Sequence, residues 1–278
     1  GSIDAVMQSA LDHLPFFLVT NAPNAAPAVP ARGSGGPYSM SISGEGTAQV
    51  VGLSAQYTGN ARVLLRMQEG SLRRQLCNGA LHIQTIFGDN LRPYPMPEPL
   101  YVDELRRLTV ELTDISEASN TVRLAGRCSR ATKTQADPTL ALARKRQDLQ
   151  QFLSTPYFYT FDAGSVTLTS LGTSEQTITI SSEHHFLLSQ ISAFSSGEFT
   201  LDIIDVASGE SIISAPSGQN YEMSSNVIVG NANYPFCLRQ PRLVQLGQRL
   251  LVKLTDRSEA SNPVQRISSV VAASVTVW

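Results

Sequence analysis

The chain has 278 residues, a formal charge of −2, 42% hydrophobic residues and 16% charged residues. That length allows one or two domains, each able to bury a core, and the near-zero charge argues against a nucleic-acid or anionic-membrane binder, which needs a basic surface. No apolar run approaches the roughly 20 residues of a membrane helix, and Gly1-Ser2-Ile3-Asp4, a tag remnant or a processed start, lacks the basic and apolar regions of a secretory signal.

In chain order, Ile3 to Leu14 carries its apolar residues on one helical face, and Pro15 is expected to end that helix. Asn21 to Pro37 holds four Pro and three Gly, which excludes regular structure and favours an extended path, either a loose linker or an arm laid on a neighbouring subunit. Residues 1–37 are thus predicted to be a helix and arm. A first β-sandwich is expected over 38–135, with strands at Tyr38–Ile42, Ala48–Leu53, Arg62–Arg66, Leu81–Ile86, Leu108–Leu112 and Thr121–Ala125. Asp137 and Pro138 signal the start of a linker helix within 136–156. A second β-sandwich is expected over 157–278, with strands at Ser165–Thr169, Gln176–Ile180, Phe186–Ile191, Phe199–Ile204, Asn226–Val229, Arg249–Leu254 and Val270–Val277. Turn residues separate these runs and no helical run interrupts them. The fold class is therefore all-β: two tandem antiparallel sandwiches, jelly-roll-like, each preceded by a short helix, with an immunoglobulin-like sandwich as the alternative.

The two sandwiches read as copies of one module. Leu112-Thr-Asp-Ile-Ser-Glu-Ala-Ser-Asn120 and Leu254-Thr-Asp-Arg-Ser-Glu-Ala-Ser-Asn262 agree at eight of nine positions. Ile86-Phe-Gly88 aligns with Ile228-Val-Gly230, Leu53-Ser-Ala55 with Ile191-Ser-Ala193, and Pro15-Phe-Phe17 with Pro156-Tyr-Phe158. An ordered series of matches needs duplication, whereas one shared turn does not.

The residues supply little chemistry. GxSxG, HExxH, P-loop and GxGxxG motifs are missing. His184 and His185 are adjacent, so on a strand they face opposite ways and make no metal edge; His82 has no evident partner. Asp114 with Glu117, and Asp256 with Glu259, could offer oxygens to calcium, but a hairpin loop needs the same residues for its turn. Asp202 and Asp205 face opposite sides of a strand and make a poor acid–base pair. Cys77, Cys128 and Cys237 are scattered and are expected to be buried free thiols in a chain folded in a reducing cytosol. No catalytic residue, cofactor, metal, nucleic acid, membrane or small-molecule substrate is expected. Candidate interaction residues are Pro23, Pro27, Pro30 and Arg32 of the arm, Arg73 and Arg74 of the first sandwich's basic cluster, Arg144 and Arg146 of the linker helix, and Trp278, which packs under its own domain or against a neighbour.

The second sandwich resembles jelly-roll virion proteins of tailed bacteriophages, of the capsid cement or decoration type. The resemblance is carried by Phe186-Leu-Leu-Ser-Gln-Ile-Ser-Ala193, Gly197-Glu-Phe-Thr-Leu-Asp-Ile-Ile-Asp205, the stretch from Ile228-Val-Gly230 to Pro235, Pro241-Arg-Leu-Val244 and Leu250-Leu-Val-Lys-Leu-Thr255. It reaches the first sandwich only through the internal repeat. It implies a structural, non-enzymatic protein, made in the host cytoplasm and placed on the outer capsid surface. There it would bind the major capsid protein and copies of itself. A neck, collar, baseplate or fibre-anchoring protein and a carbohydrate-binding module are the alternatives.

Overall fold

The computed structural model describes residues 13–19, 28–40, 46–69, 71–89, 91–102, 106–117, 119–132, 154–161, 167–168, 171–180, 185–195, 197–213, 223–224, 229–257 and 265–277. The first half contains β1 (His13–Val19), β2 (Ala28–Val29), β3 (Ser34–Met40), β4 (Gly46–Tyr57), β5 (Ala61–Glu69), β6 (Leu72–Gln75), β7 (Leu81–His82), the one-turn helix α1 (Ile83–Ile86), β8 (Tyr94–Val102), β9 (Arg106–Asp114) and β10 (Asn120–Thr132). The second contains β11 (Ser154–Phe161), β12 (Thr167–Leu168), β13 (Thr173–Thr179), β14 (His185–Ser195), β15 (Phe199–Asp205), β16 (Met223–Ser224), β17 (Phe236–Val244), β18 (Arg249–Asp256) and β19 (Gln265–Val277).

Each half is a pair of facing antiparallel sheets. The first pairs β1-β10-β4-β8 with β3-β9-β5-β6, and the second pairs β11-β19-β14-β17 with β13-β18-β15-β16. If the short β2, β7 and β12 are left out, both halves have the strand order 1-8-3-6 opposite 2-7-4-5, which is jelly-roll topology. The sheets face each other because apolar residues alternate along the strands. In β5, Ala61, Val63 and Leu65 are buried, and Val63 and Leu65 meet Val50 and Leu53 of β4 and Val122 and Leu124 of β10 in one core. Phe199, Leu201 and Ile203 of β15 meet Phe186, Leu188 and Ile191 of β14 in the other.

Several expectations change. His13 and Leu14 belong to β1, not to a helix, and Pro15 lies inside that strand. An edge strand tolerates proline, because its outward N–H needs no sheet partner. The rest of the first helix and the linker helix fall outside the described residues. The arm contributes β2 and the start of β3, so part of it is regular structure despite its prolines and glycines. The run Leu81–Ile86 breaks after two strand residues into α1, whose N-cap is His82, with Nδ1 accepting from the Gln84 N–H. Asn226 to Ile228 lie outside the described residues, and Val229 belongs to no strand.

Candidate functional site: the seam between the sandwiches

The described polar and aromatic side chains converge most strongly where the two jelly rolls meet. The geometry starts from two like turns. Gly88 pairs in parallel with Ser54, and Gly230 with Ser192. A Cβ on Gly88 would lie 2.0 Å from the Arg92 carbonyl oxygen, and one on Gly230 1.8 Å from that of Tyr234, so only glycine fits either place. The next residue closes each turn. Asp89 Oδ1 accepts from the N–H groups of Leu91 (2.9 Å) and Arg92 (2.7 Å), and Asn231 Oδ1 from those of Asn233 and Tyr234 (3.0 Å each).

The outward groups of these turns then meet. Asn233 donates from Nδ2 to Asp89 Oδ2 (2.7 Å), and Asn233 Oδ1 accepts the Asp89 N–H (3.2 Å). The Arg92 guanidinium lies 4.3 Å from the Tyr234 ring centroid, a cation–π contact. Hydrogen bonds from the Arg92 and Leu91 N–H groups and from Asn233 hold the Asp89 carboxyl below the usual carboxylate range, against a smaller opposing push from desolvation.

Deeper in the seam, Tyr94 donates to Gln190 Oε1 (3.0 Å), and Ser192 donates to the Thr85 carbonyl (2.7 Å). All four residues are buried, so each polar contact supplies a partner that water cannot. Burial pushes the Tyr94 phenol far above its ordinary range. His82 stacks on Phe194 with ring centroids 4.3 Å apart. Burial, with the nearby Arg62 charge, pushes the His82 imidazole down to about 4.

A backbone joint completes the contact. β11 is an edge strand of its own sheet, yet Phe158 donates its N–H to Leu76 O (2.9 Å) and accepts from the Asn78 N–H (3.2 Å). The Asn78 side chain bonds the N–H and C=O of Thr160. The Phe158 ring sits in the core of the first sandwich, as does Ala232, another residue of the second half. Cys77, at the middle of the joint, is buried, and desolvation pushes its thiol up to about 11. Cys237, expected to be buried, is exposed; its edge strand β17 leaves it at the surface. The Cys128 side chain lies outside the described residues.

Among the described residues, the candidate interaction residues do not converge. Pro30 and Arg32 sit in an exposed turn closed by the Gly33 N–H to Pro30 O bond (2.8 Å), and Arg32 pairs with Glu117 at 3.1 Å. Arg73 and Arg74 are on β6, at the opposite edge of the sheet from β3, and burial pushes the Arg74 guanidinium down. Arg66 of the same basic cluster pairs with Glu111. Pro23, Pro27, Arg144, Arg146 and Trp278 fall outside the described residues. In the repeated loop, Asp114 accepts from the Ser116 N–H and hydroxyl while Glu117 turns to Arg32, so the two carboxylates diverge as turn chemistry requires. Asp202 is buried and accepts from Ser211, whereas Asp205 caps the next turn through the Ala207 N–H and Ser208. Sequence reasoning missed the seam. The signal lay where the two similar stretches differ, at Asp89/Asn231, Leu91/Asn233 and Arg92/Tyr234, directly after the matching glycines.

No family model matches the chain, and no curated protein matches it. Among solved structures, it is similar to the major capsid protein P2 of bacteriophage PM2, at 14% identity and TM-score 0.38, covering 95% of this chain and 98% of that one. It is also similar to PBCV-1 VP54, as fitted into a reconstruction of the virophage Sputnik, at 9% identity and TM-score 0.37, covering 96% and 95%. The PBSX exported protein XepA follows at 9% identity and TM-score 0.24, covering 94% and 86%. At these scores the jelly-roll assignment rests on the strand orders of the chain itself.

Proposed function

We propose that the chain is a structural component of a viral particle, placed on the outer capsid surface, where it binds the major capsid protein and neighbouring copies of itself. One observation carries this reading: two jelly rolls of identical strand order are locked by a buried, complementary seam into a single block. A block of this kind offers broad sheet walls and two sets of loops at fixed spacing. Many weak contacts made through such surfaces add up across a lattice. The matched strand orders, glycine turns and registers also support descent of both halves from one module, with its limits drawn before β1 and β11. The outward-facing turns and edges, and no buried cleft, are then the working surfaces.

The experiment is a cryo-EM map and subunit count of particles from the virus encoding this chain. The reading expects density for both jelly rolls outside the shell, in numbers that follow the shell subunits, and heads that rupture more readily when the chain is deleted. Its absence from purified particles, or a count set by an axial ring, would overturn the capsid-surface assignment.

A further inference from the structure

We propose that the joint between the two sandwiches repeats between chains: the outer edge of β1 receives the Ile212–Ile213 segment of a second copy. The joint within the chain has a donor and an acceptor. On the donor side, the Leu76 N–H bonds Leu65 O (3.0 Å), which fixes the segment beside β5, and the Leu76 carbonyl and Asn78 N–H face outward to Phe158. The acceptor is the outer edge of β11, with Cys77 and Phe158 bridged in parallel.

Both parts recur elsewhere in the molecule. β1 is the matching edge strand, paired only with β10 among the described residues. Pro15 pairs with Ser129 and Phe17 with Arg127, as Pro156 pairs with Val275 and Phe158 with Ala273. Phe17 therefore holds the register position of Phe158, whose N–H and C=O point away from the sheet, and in the proposed joint Phe17 presents the same outward groups. The donor recurs as well. The Ile212 N–H bonds Ile203 O (2.7 Å) as the Leu76 N–H bonds Leu65 O, and Ser211 bridges Ile204 as Gln75 pairs with Arg66. Burial differs between the two donors: Leu76 and Cys77 are 1% and 0% exposed beneath β11, whereas Ile212 and Ile213 are only half-buried.

A strand edge unpaired among the described residues and a half-covered pair of isoleucines, each the counterpart of a surface already seen joined, complement one another. Donor and acceptor are different surfaces, so the contact is heterologous and builds a closed ring or a filament. This deepens the proposed function and rests on that reading only in taking the partner to be a second copy.

The test uses the purified full-length chain, so failure of the virion reading would leave its readouts untouched. Sedimentation velocity should show concentration-dependent self-association. Phe17→Pro removes the outward N–H without touching the pairing to β10 and should weaken association at least tenfold, as should Ile213→Asp. In a Cys237→Ser background, Phe17→Cys with Ile213→Cys occupies the places of Phe158 and Cys77. That pair should give interchain disulfides on oxidation, and either single substitution should not. The cross-link does not depend on whether Phe17→Pro folds. The proposal is overturned by a monomer at all concentrations without cross-linking, or by association that both substitutions leave unchanged. It is equally overturned by association that arises only after removal of residues 1–12, which would make the chain's own start the occupant of the edge.

Discussion

The turn from Gly88 to Tyr94 and the turn from Gly230 to Phe236 share their internal construction but not their outward groups. Each begins with a glycine pressed onto a carbonyl oxygen and is closed by an Asp or Asn side chain accepting two N–H groups. Facing outward, one presents a carboxylate and a guanidinium, and the other an amide and a phenol ring, and these pair across the seam. The scaffold of a turn answers to its own backbone and cannot drift far. Its outward groups are not held in that way, and here those of the two turns are complementary.

The largest break in this symmetry is Phe158, a residue of the second half buried in the core of the first. Phe158→Ala should cost about 4 kcal/mol, the usual loss for a fully buried aromatic. Urea unfolding followed by fluorescence and circular dichroism should then split into two transitions, because the side chain tying the cores together is gone. A single transition shifted by less than about 1 kcal/mol would show the halves to be coupled elsewhere.

The paired glycines come next. Gly88→Ala and Gly230→Ala each put a methyl group about 2 Å from backbone oxygen, and each should destabilise by about 3 kcal/mol, the upper range for overpacking against atoms that cannot move aside. Equal losses in chemical denaturation would confirm like turns. One costly and one neutral substitution would show that the resemblance stops at hydrogen bonding.

How far the sequence discloses these features depends on the range of each interaction. The alternation in β5 and β15 is local and is read directly from Ala61-Val63-Leu65 and Phe199-Leu201-Ile203. β8 is absent from the expected strands; it carries Pro95, Pro97 and Pro99, which at a sheet edge cost no pairing. β1 was missed because Pro15 reads as the end of a helix over Ile3 to Leu14 and not as a residue inside an edge strand. The seam joins Tyr94 to Gln190 and Thr85 to Ser192, residues about a hundred positions apart, and no local pattern announces such pairs. The likeness of Leu112–Asn120 to Leu254–Asn262 was legible because it repeats a whole string of residues.

Acid should separate the halves' contributions further. His82 is buried against Phe194, with Nδ1 occupied by the Gln84 N–H and Nε2 without a partner among the described residues. The unfolded chain takes a proton on this imidazole below about pH 6.5, and the folded chain not until about pH 4. Between those values the unfolded state binds more protons, so stability rises with pH. The contribution is complete above pH 6.5 and is lost as pH falls toward 4, roughly 3 kcal/mol in all. Denaturation midpoints measured from pH 7 to pH 4 should fall for the native chain and fall less steeply for His82→Gln. The second half has Ser224 at the matching register position, beside Thr200 as His82 is beside Arg62, so it carries no imidazole at that place.

The smallest expected effect compares two turns outside the seam. Arg32 and Leu171 each precede a glycine at the entrance to the second strand of a jelly roll, with φ of 53° and 61°. A side chain in this left-handed region costs roughly 1 kcal/mol that glycine avoids. Leu171 is 64% exposed, so little packing opposes the change, and Leu171→Gly should stabilise by up to about 1 kcal/mol. Arg32→Gly relieves the same strain but gives up the ion pair with Glu117, both of whose side chains are largely exposed. Such pairs are worth a few tenths of a kcal/mol, so the gain at position 32 should be the smaller of the two and should approach that of Leu171→Gly in high salt, where the pair is screened. If Arg32→Gly instead destabilises at every salt concentration, the Pro30–Gly33 turn is held by more than its backbone, and the two entrances are not equivalent.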